Sequence, residues 1–280
     1  MLLDAPVLRA LHPSDLPAAQ RISASMSWPH RLEDWRAMLA TGHGIAAINR
    51  DGALLGTTLW WPFGAAACCL GMVLVDAARQ GLGIGRRLMG AALEQIGPRA
   101  IMLNATEAGL ALYQKLGFRI AGRVTQHQGV FGGIPIAGNA FECTRPAKAG
   151  DHPAILALDQ RGFGAKRTDF IRDLLVFNPC RVVESGGIVT GFALHRHFGR
   201  GSLLGPMMAA SEADAIALVA SSLQPGFQRI DIPAEATGLS AWLTGAGLPA
   251  VDSATTMLRG EWGVPDPGIH RFALASQAMG

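Results

Sequence analysis

The chain contains the glycine-rich segment Arg79-Gln80-Gly81-Leu82-Gly83-Ile84-Gly85-Arg86, which directly follows an apolar run at residues 70–75 and opens an amphipathic stretch that reaches residue 96. This order predicts a strand, a glycine turn and a helix. Glycines let backbone N–H groups approach a ligand without a Cβ in the way, and a helix N-terminus adds free donors and a partial positive charge. The segment therefore predicts a cradle for phosphate or pyrophosphate.

The spacing of the glycines indicates which class of phosphate-containing ligand such a cradle binds. A Walker loop ends in Gly-Lys-Ser/Thr, and a dinucleotide fingerprint reads G-x-G-x-x-G with an acidic residue about 20 positions later. Neither pattern is present, and the chain instead reads Q-x-x-G-x-G at Gln80, Gly83 and Gly85. A tight strand-to-helix connection without a ligand is the alternative for a turn of this composition.

A second pattern follows downstream of the cradle. Residues 100–104 predict a short buried strand, and residues 107–116 predict a helix that ends at Gly117 as its left-handed cap. This helix carries Tyr113, the only tyrosine among the 280 residues.

Together the two patterns resemble the GCN5-related N-acetyltransferases (GNAT). The Q-x-x-G-x-G segment is similar to the coenzyme A pyrophosphate loop of that family. Asn104 and the segment Ala108-Gly109-Leu110-Ala111-Leu112-Tyr113-Gln114-Lys115-Leu116-Gly117-Phe118 look like its second cofactor strand and its A-x-x-L-Y-x-K-x-G-F helix. The resemblance implies that the cofactor is acetyl-CoA and that residues 80–86 hold its pyrophosphate.

The resemblance also implies roles for single residues. In this family the strand before the loop splays from its neighbour, so that backbone N–H groups of Val73, Leu74 and Val75 would meet the pantetheine and the thioester carbonyl. Asn104 would contact the pantetheine arm. Tyr113 falls where the family usually keeps its general acid and would protonate the departing thiolate. The alternative for Tyr113 is a helix residue that buries its ring in the core.

The general base has several candidates, because the strand at residues 70–75 carries no carboxylate. The candidate side chains are Glu33, Asp34, Glu107, His127 and Glu142. For each of them a solvated surface position is the alternative, and a chain of water molecules is an alternative to all five.

Aromatic and histidine side chains supply further candidates. Four tryptophans could line an acceptor pocket, although tryptophans so close to apolar runs also suit a core: Trp28, Trp35, Trp60 and Trp61. His195 and His197 share one strand face, but no cysteine or acid lies nearby at ligand spacing. We therefore expect a polar wall or surface there and no metal site.

Length and composition favour a cytoplasmic enzyme. A chain of 280 residues suggests about two domains, and 49% hydrophobic against 16% charged residues allows a sizeable core. The net charge of +3 without a lysine or arginine run disfavours nucleic acid as a partner. The longest apolar stretch, residues 64–75, is too short to span a membrane, and no signal peptide is evident. The four cysteines show no CxxC pair and are typical of a reducing compartment.

The chain repeats one plan twice. Strand, hairpin turn, strand, strand, helix, strand and helix patterns occupy residues 44–116 and recur at residues 181–246, with a composition break near residues 145–152. We predict an α+β fold of two tandem GNAT-like domains, residues 1–145 and 150–280, each a mixed, mostly antiparallel sheet flanked by helices. The second repeat lacks the glycine turn, carries Glu212 and Asp214 in its place, and has no tyrosine on its last helix. We therefore expect a degenerate second domain that shapes the acceptor site or has a structural role.

These observations predict an acetyl-CoA-dependent N-acetyltransferase that acts on a primary amine of a small molecule or on an amino-terminal group, as a monomer or homodimer. A non-catalytic protein that binds or senses acyl-CoA is the alternative from another class. A thiol-precursor synthase of the tandem acetyltransferase type is the alternative among enzymes. Tyr113 separates the first two, since a sensor has no need of a proton donor at the sulfur.

Overall fold

A single mixed sheet runs through both halves of the chain. The structure, a computed structural model, describes residues 5–133 and 143–280. Within these residues the strand order is β1-β2-β3-β4-β5-β12-β6-β11-β10-β9-β8-β7, and β13 pairs with β10 outside this path. The tandem α+β fold with mixed sheets and flanking helices is confirmed, but the two sheets are continuous with one another.

Residues 5–133 of the first half supply six strands and four helices. The strands are β1 (Val7–Ala10), β2 (His43–Ile48), β3 (Leu54–Phe63), β4 (Ala67–Val75), β5 (Ala100–Ala105) and β6 (Arg119–Phe131). The helices are α1 (Leu16–Ser25), α2 (Leu32–Ala40), α3 (Ile84–Ile96) and α4 (Leu110–Lys115). The predicted turn at Asp51-Gly52 joins β2 to β3, with Gly52 at φ 82°.

The second half, from residue 143 on, supplies seven strands and four helices. The strands are β7 (Thr144–Pro146), β8 (Cys180–Ser185), β9 (Ile188–Phe198), β10 (Gly201–Ala209), β11 (Gly226–Pro233), β12 (Ala250–Arg259) and β13 (His270–Ala273). The helices are α5 (His152–Phe163), α6 (Thr168–Phe177), α7 (Glu212–Ser222) and α8 (Thr237–Gly245). Because β7 pairs with β8, residues 144–146 lie in the second part of the sheet. The domain limits 1–145 and 150–280 stay predictions.

The two halves exchange strands at the centre of the sheet. β12 of the second half lies between β5 and β6, and β6 of the first half lies between β12 and β11. Both neighbours of β6 are therefore second-half strands, and its pairing with β11 runs from Gly226 to Pro233. Neither β6 nor β12 follows from the strand patterns given above, and their exchange joins the two repeats.

Helices cover both faces of the sheet. Helices α1, α2, α5 and α6 contribute to one apolar cluster that contains residues of both halves, such as Trp35, Phe63 and Phe163. The opposite face carries two separate clusters, one around α3 and one around α7 and α8. The shared cluster fixes the two halves against each other on the face where the candidate site lies. No described helix has both the length and the apolar character needed to cross a membrane.

Candidate active site

The predicted anion cradle lies at the N-terminus of α3. Gly81 and Gly83 have φ angles of 77° and 78°, a region that favours glycine, and a Cβ at either position would meet nothing within 4 Å. The first backbone bond of the helix runs from Arg87 N to Gly83 O at 3.1 Å. The amides of residues 83–86 therefore have no acceptor within the helix and lie at its positive end.

The loop contacts the end of β4 and the helix that carries Tyr113. Gln80 Nε2 donates to Val75 O at 3.2 Å, which ties the loop to the end of β4. A Cβ at Gly85 would lie 3.7 Å from both Val75 and Leu112, so α4 packs against the same turn. The loop, the end of β4 and the Tyr113 helix thus form one surface.

The strand before the loop splays from its parallel neighbour. In the described residues β4 pairs with β5 at Ala67, Cys68 and Cys69, and the pairing then stops. Met72 follows with φ 52°, a rare conformation for a non-glycine residue, and its carbonyl accepts a 2.9 Å bond from the buried Thr57 hydroxyl. Val73, Leu74 and Val75 lie beyond this kink, where β4 keeps β3 on one edge and no described strand pairs with the other. The splay that the resemblance implies is present.

Tyr113 lies in the apolar cluster around α3. Its ring packs edge to face against Phe118 with centroids 6.0 Å apart, and a Cβ at Gly109 would come within 2.7 Å of it. Burial raises the pKa of Tyr113 to about 12. The phenol therefore keeps its proton across the physiological range, as a general acid requires. The ring is buried as in the alternative given above, and its acid role stays a prediction.

Asn104 holds the two halves together. Its Nδ2 donates to Gln277 O at 2.8 Å, and its Oδ1 accepts from Thr256 Oγ1 at 2.7 Å. Both partners belong to the second half, so each end of this side chain already has a protein contact. The contact of Asn104 with the pantetheine arm stays a prediction. If it forms, the side-chain amide would serve both this contact and the two hydrogen bonds to the second half.

A cavity of about 560 Å³ lies in front of the splay, a volume suited to a small molecule. The first half contributes the loop between α1 and α2, the β4 kink, the end of β5 and part of β6. The second half contributes β11, β12 and the segment at residues 276–278, which packs so closely on Gly71 that a Cβ there would lie 2.8 Å from Ala278. Both halves therefore shape the space that an acceptor would enter.

A second cavity, of about 630 Å³, lies in the other half of the molecule. It is lined by Glu212, Glu235 and Asp266 together with Trp262 and Arg271. No residue of the cradle or of the β4 kink reaches it. Its three carboxylates also make it a poor neighbour for a pyrophosphate, so we place the candidate site in the first cavity.

The candidate bases are scattered. Asp34 is buried and accepts bonds from Arg31 and from the backbone of Gly199, and buried His127 has both ring nitrogens engaged by Leu248 O and Ser240 Oγ. Both are structural contacts, so neither has the surface position given as its alternative. Glu33 is exposed and faces Arg36 at 3.7 Å. Glu107 lines the cavity, and Glu142 lies outside the described residues.

Three of the four tryptophans belong to the core. Trp35, Trp60 and Trp61 are at most 4% exposed, whereas Trp28 lines the cavity. His195 Nε2 contacts Gln228 Oε1 at 3.1 Å. In the described ranges, no set of three histidine, cysteine or acidic side chains is placed to hold a metal ion.

His30 is a cavity residue that the sequence reasoning missed. It packs edge to face with Trp28 and Phe198, and its buried Nδ1 has no hydrogen-bond partner among the described residues. Burial lowers the pKa of His30 to about 4, nearby Arg229 adds to this lowering, and Asp34 opposes it. The imidazole therefore stays neutral at physiological pH. The sequence shows His30 in a short Trp-Pro-His segment, which by itself carries no functional signal.

We expect His30 to make the fold sensitive to acid. Its pKa is about 6.5 in the unfolded chain and lower in the folded one, so between pH 6.5 and 4 the unfolded state binds a proton that the folded state excludes. From pH 7 to 4.5 the wild type should lose about 2 kcal/mol more unfolding free energy than His30→Gln. Urea unfolding of both proteins at the two pH values measures this difference, and equal losses would contradict the buried neutral imidazole.

The corresponding splay in the second half is filled. In the described residues β10 pairs with β11 at Ser202 and Leu203, and β13 then lies antiparallel along β10 at Met207–Ala209. This part of β10 corresponds in the repeat to residues 73–75 of β4. The strand edge that would meet a pantetheine is therefore already bonded to the chain itself.

The start of α7, unlike the start of α3, is also occupied by the chain's own side chains. Ser211 Oγ accepts from Asp214 N at 3.1 Å, and Glu212 Oε1 accepts from Leu239 N at 2.8 Å. A side chain thus caps this helix, and its first turn carries Glu212 and Asp214. Both features support the prediction of a degenerate second domain.

Comparison with known proteins agrees with this geometry. Residues 41–120 and residues 155–273 each match a family described as an acetyltransferase (GNAT) domain. The uncharacterized N-acetyltransferase YitH of Bacillus subtilis (strain 168) is 28% identical over 277 residues, which cover 96% of this chain and 97% of that protein.

Solved structures share the fold over nearly the whole chain. A candidate acetyltransferase from Pyrococcus horikoshii superposes with a TM-score of 0.80 at 19% identity, covering 100% of this chain and 98% of that one. A tandem GNAT protein from the clavulanic acid biosynthesis pathway has a TM-score of 0.60 at 12% identity, covering 91% of this chain and 98% of that one. At these identities the likeness shows the fold.

Proposed function

We propose that this chain, which belongs to the GNAT acetyltransferase family and carries two GNAT domains in tandem, transfers the acetyl group of acetyl-CoA to a primary amine of a small molecule. One juxtaposition carries the proposal. The kinked strand β4 has an open amide cradle at its end and a cavity of about 560 Å³ beside its kink. A thioester held along β4 would therefore face an acceptor in the cavity.

The residues present suit coenzyme A. The amides of residues 83–86, which have no acceptor within the helix, and the side chain of Arg86 would hold its pyrophosphate, and the free edge of β4 at residues 73–75 would hold its pantetheine. The bound group supplies an activated thioester carbonyl. No step needs a metal ligand or a charged nucleophile from the protein, because the acceptor amine is itself the nucleophile.

The chain's own groups orient the acceptor and handle two protons. The cavity positions the amine, Glu107 or water takes the proton that the amine loses, and Tyr113 donates a proton to the departing thiolate. Neutral His30 lines the cavity without adding charge next to an ammonium ion. We further propose a cytoplasmic protein, as a monomer or homodimer, without nucleic-acid or membrane partners; the net charge of +3 without a lysine or arginine run supports the absence of a nucleic-acid partner.

Acetyl-CoA consumption with a panel of small primary amines tests this proposal. Release of free thiol that depends on both acetyl-CoA and an amine would support the transferase. Tight binding of acetyl-CoA, with no release of free coenzyme A in the presence of any amine of the panel, would instead identify an acyl-CoA sensor.

The cradle gives a direct test by substitution. Gly83→Glu places a side chain and a negative charge where the pyrophosphate should approach the amides, so the Kd for coenzyme A should rise at least about tenfold. Gly52→Glu is the matched control, because Gly52 also has a positive φ and open space around it but lies in the β2–β3 turn. Calorimetric titration compares the two variants, and equal affinities would remove the cradle from the binding site.

We expect one coenzyme A per chain despite the repeated architecture. The first site offers free amides and an open strand edge, whereas the second has a capped helix, two acids and β13 along the strand. Placing a pyrophosphate beside Glu212 and Asp214 would replace attraction by repulsion. Isothermal titration of acetyl-CoA gives the number of sites, and two sites per chain would refute the degenerate repeat.

A further inference from the structure

Arg229 lies on the floor of the candidate acceptor cavity with part of its guanidinium unused. Its Nε and Nη2 donate to Asp231 at 3.0 and 2.9 Å. Its Nη1 has no acceptor among the described residues. Since a guanidinium offers five N–H donors in a rigid fork, this edge keeps donors for a ligand.

The ion pair is oriented with its positive end toward the cavity. Arg229 is among the lining residues, whereas Asp231 is fully buried and does not reach the cavity. Gln277 Nε2 also contacts Asp231 Oδ1 at 3.5 Å and Gln126 Oε1 at 3.2 Å, so these amides lie between the carboxylate and the open space. A bound molecule would meet the guanidinium and not the carboxylate that neutralises it.

No buried residue among the described lining residues carries a carboxylate. The carboxylates among the lining residues are Glu107 and Asp252, and both are exposed at the rim. His30, the other titratable group at the inner end, is neutral. Arg123 at the rim contacts the Ser253 hydroxyl at 3.1 Å and has no ion pair in the described part of the chain. Of the described lining residues, Arg229 is therefore the one that is both buried and charged.

We propose that Arg229 is the subsite for a carboxylate of the acceptor, which makes the acceptor an amine that also carries an acid group. The inference rests on the proposed function, from which the amine of the acceptor follows. The carboxylate of the acceptor follows from the position of Arg229 on β11. A charge-assisted bond from Nη1 would bind the carboxylate, and the amine would lie near the β4 kink.

The sheet also sets the separation of the two groups. Asn104 of β5 is level with Gly122 of β6 through Thr256, whereas Arg229 pairs with Gln128, so the two backbones lie three strand spacings apart across the sheet, about 14 Å, and six residues apart along it. The side chain of Arg229 therefore spans only part of the distance. The amine and the carboxylate should therefore be several bonds apart, as in an ω-amino acid or as the ε-amine and the carboxylate of free lysine are, and not on one carbon as in glycine.

Calorimetric titration with matched ligands tests the subsite. The three probes are 6-aminohexanoate, 6-aminohexanamide and glycine. The amide differs from 6-aminohexanoate in lacking the negative charge of the carboxylate. The wild-type protein, saturated with coenzyme A, should bind 6-aminohexanoate at least about tenfold more tightly than either of the others. Equal affinities, tighter binding of glycine, or no binding of 6-aminohexanoate would overturn the proposal.

A paired substitution assigns the preference to Arg229. Arg229→Gln with Asp231→Asn removes the pair without leaving a buried lone charge and should abolish the tenfold preference. Arg172→Gln with Asp169→Asn makes the same chemical change in an exposed ion pair on α6. This control variant should retain the tenfold preference for 6-aminohexanoate. A preference that survives the first double variant would overturn the subsite, and the wild-type comparison stays decisive if that variant unfolds.

Activity separates the two proposals. A carboxylate preference in binding without thiol release from acetyl-CoA would remove the transferase and leave the subsite. Acetylation of both 6-aminohexanoate and 6-aminohexanamide with equal kcat/KM would keep the transferase and remove the subsite.

Discussion

Residues 1–138, expressed without the rest of the chain, should fail to form a cooperatively folded protein, and co-expression with residues 139–280 should restore one. The first fragment contains β6 but neither of its partners, since β11 and β12 both belong to the second fragment. It also leaves β5 without β12. The fragment also loses the second-half side chains of the shared apolar cluster, such as Ile155, Phe163 and Phe192; burying one such side chain contributes about 1.5–3 kcal/mol, so the loss of several exceeds the stability of a typical domain.

Circular dichroism and thermal unfolding of the separate and co-expressed fragments measure this effect. The control is the full-length protein with a protease site at residue 138, cleaved after folding, which should remain associated and unfold in one transition. A fragment 1–138 that is monomeric and unfolds cooperatively would contradict the strand exchange. Swapped pairing within a dimer of that fragment is distinguished by its mass in solution.

Replacement of Tyr113 by phenylalanine should lower kcat by roughly 100-fold while the Kd for coenzyme A stays unchanged. The substitution removes a single oxygen from a buried ring that packs on Phe118, so the fold should persist. Because burial raises the pKa of Tyr113 to about 12, the wild-type phenol is protonated at any pH used in the assay. The loss should therefore be nearly constant from pH 6 to 9.

Varying the acidity of the leaving thiol distinguishes a lost proton donor from a packing defect, because a packing defect should not depend on the leaving group. An acetyl thioester of a more acidic thiol needs less protonation as it departs, so it should narrow the gap between Tyr113→Phe and the wild type. Phe118→Leu is the control, since it disturbs the same ring contact and keeps the phenol. Wild-type turnover by Tyr113→Phe would exclude this residue from the mechanism.

Local sequence was sufficient for the part of the site that local structure builds. The positive φ angles at Gly81 and Gly83, the amphipathic helix after them and the cap at Gly117 all follow from neighbouring residues. Glycine turns and helix ends are determined within a few residues, so they can be predicted from such a window.

The rest depends on contacts between distant parts of the chain. Asn104 bonds to a carbonyl 173 residues away, and β6 pairs with strands that lie about a hundred residues later. Strand β6 also contains two glycines and several polar residues, so it lacks the apolar alternation of a strand. Arg229 and His30 became candidates because the fold placed them around one cavity, and spacing along the chain does not encode that proximity.

The exchanged strands also set the order in which the molecule can be completed during synthesis. Besides β4, the sheet neighbour of β5 is β12, which begins at Ala250, whereas β5 ends at Ala105. At a translation rate of about 5 to 20 residues per second, the first half waits roughly 7 to 30 seconds for that strand to leave the ribosome. During this interval the edge of β5 and the whole of β6 are open to other chains. Demand for chaperones should therefore be concentrated in the nascent chain, and slower translation of the second half should lower the yield of folded protein.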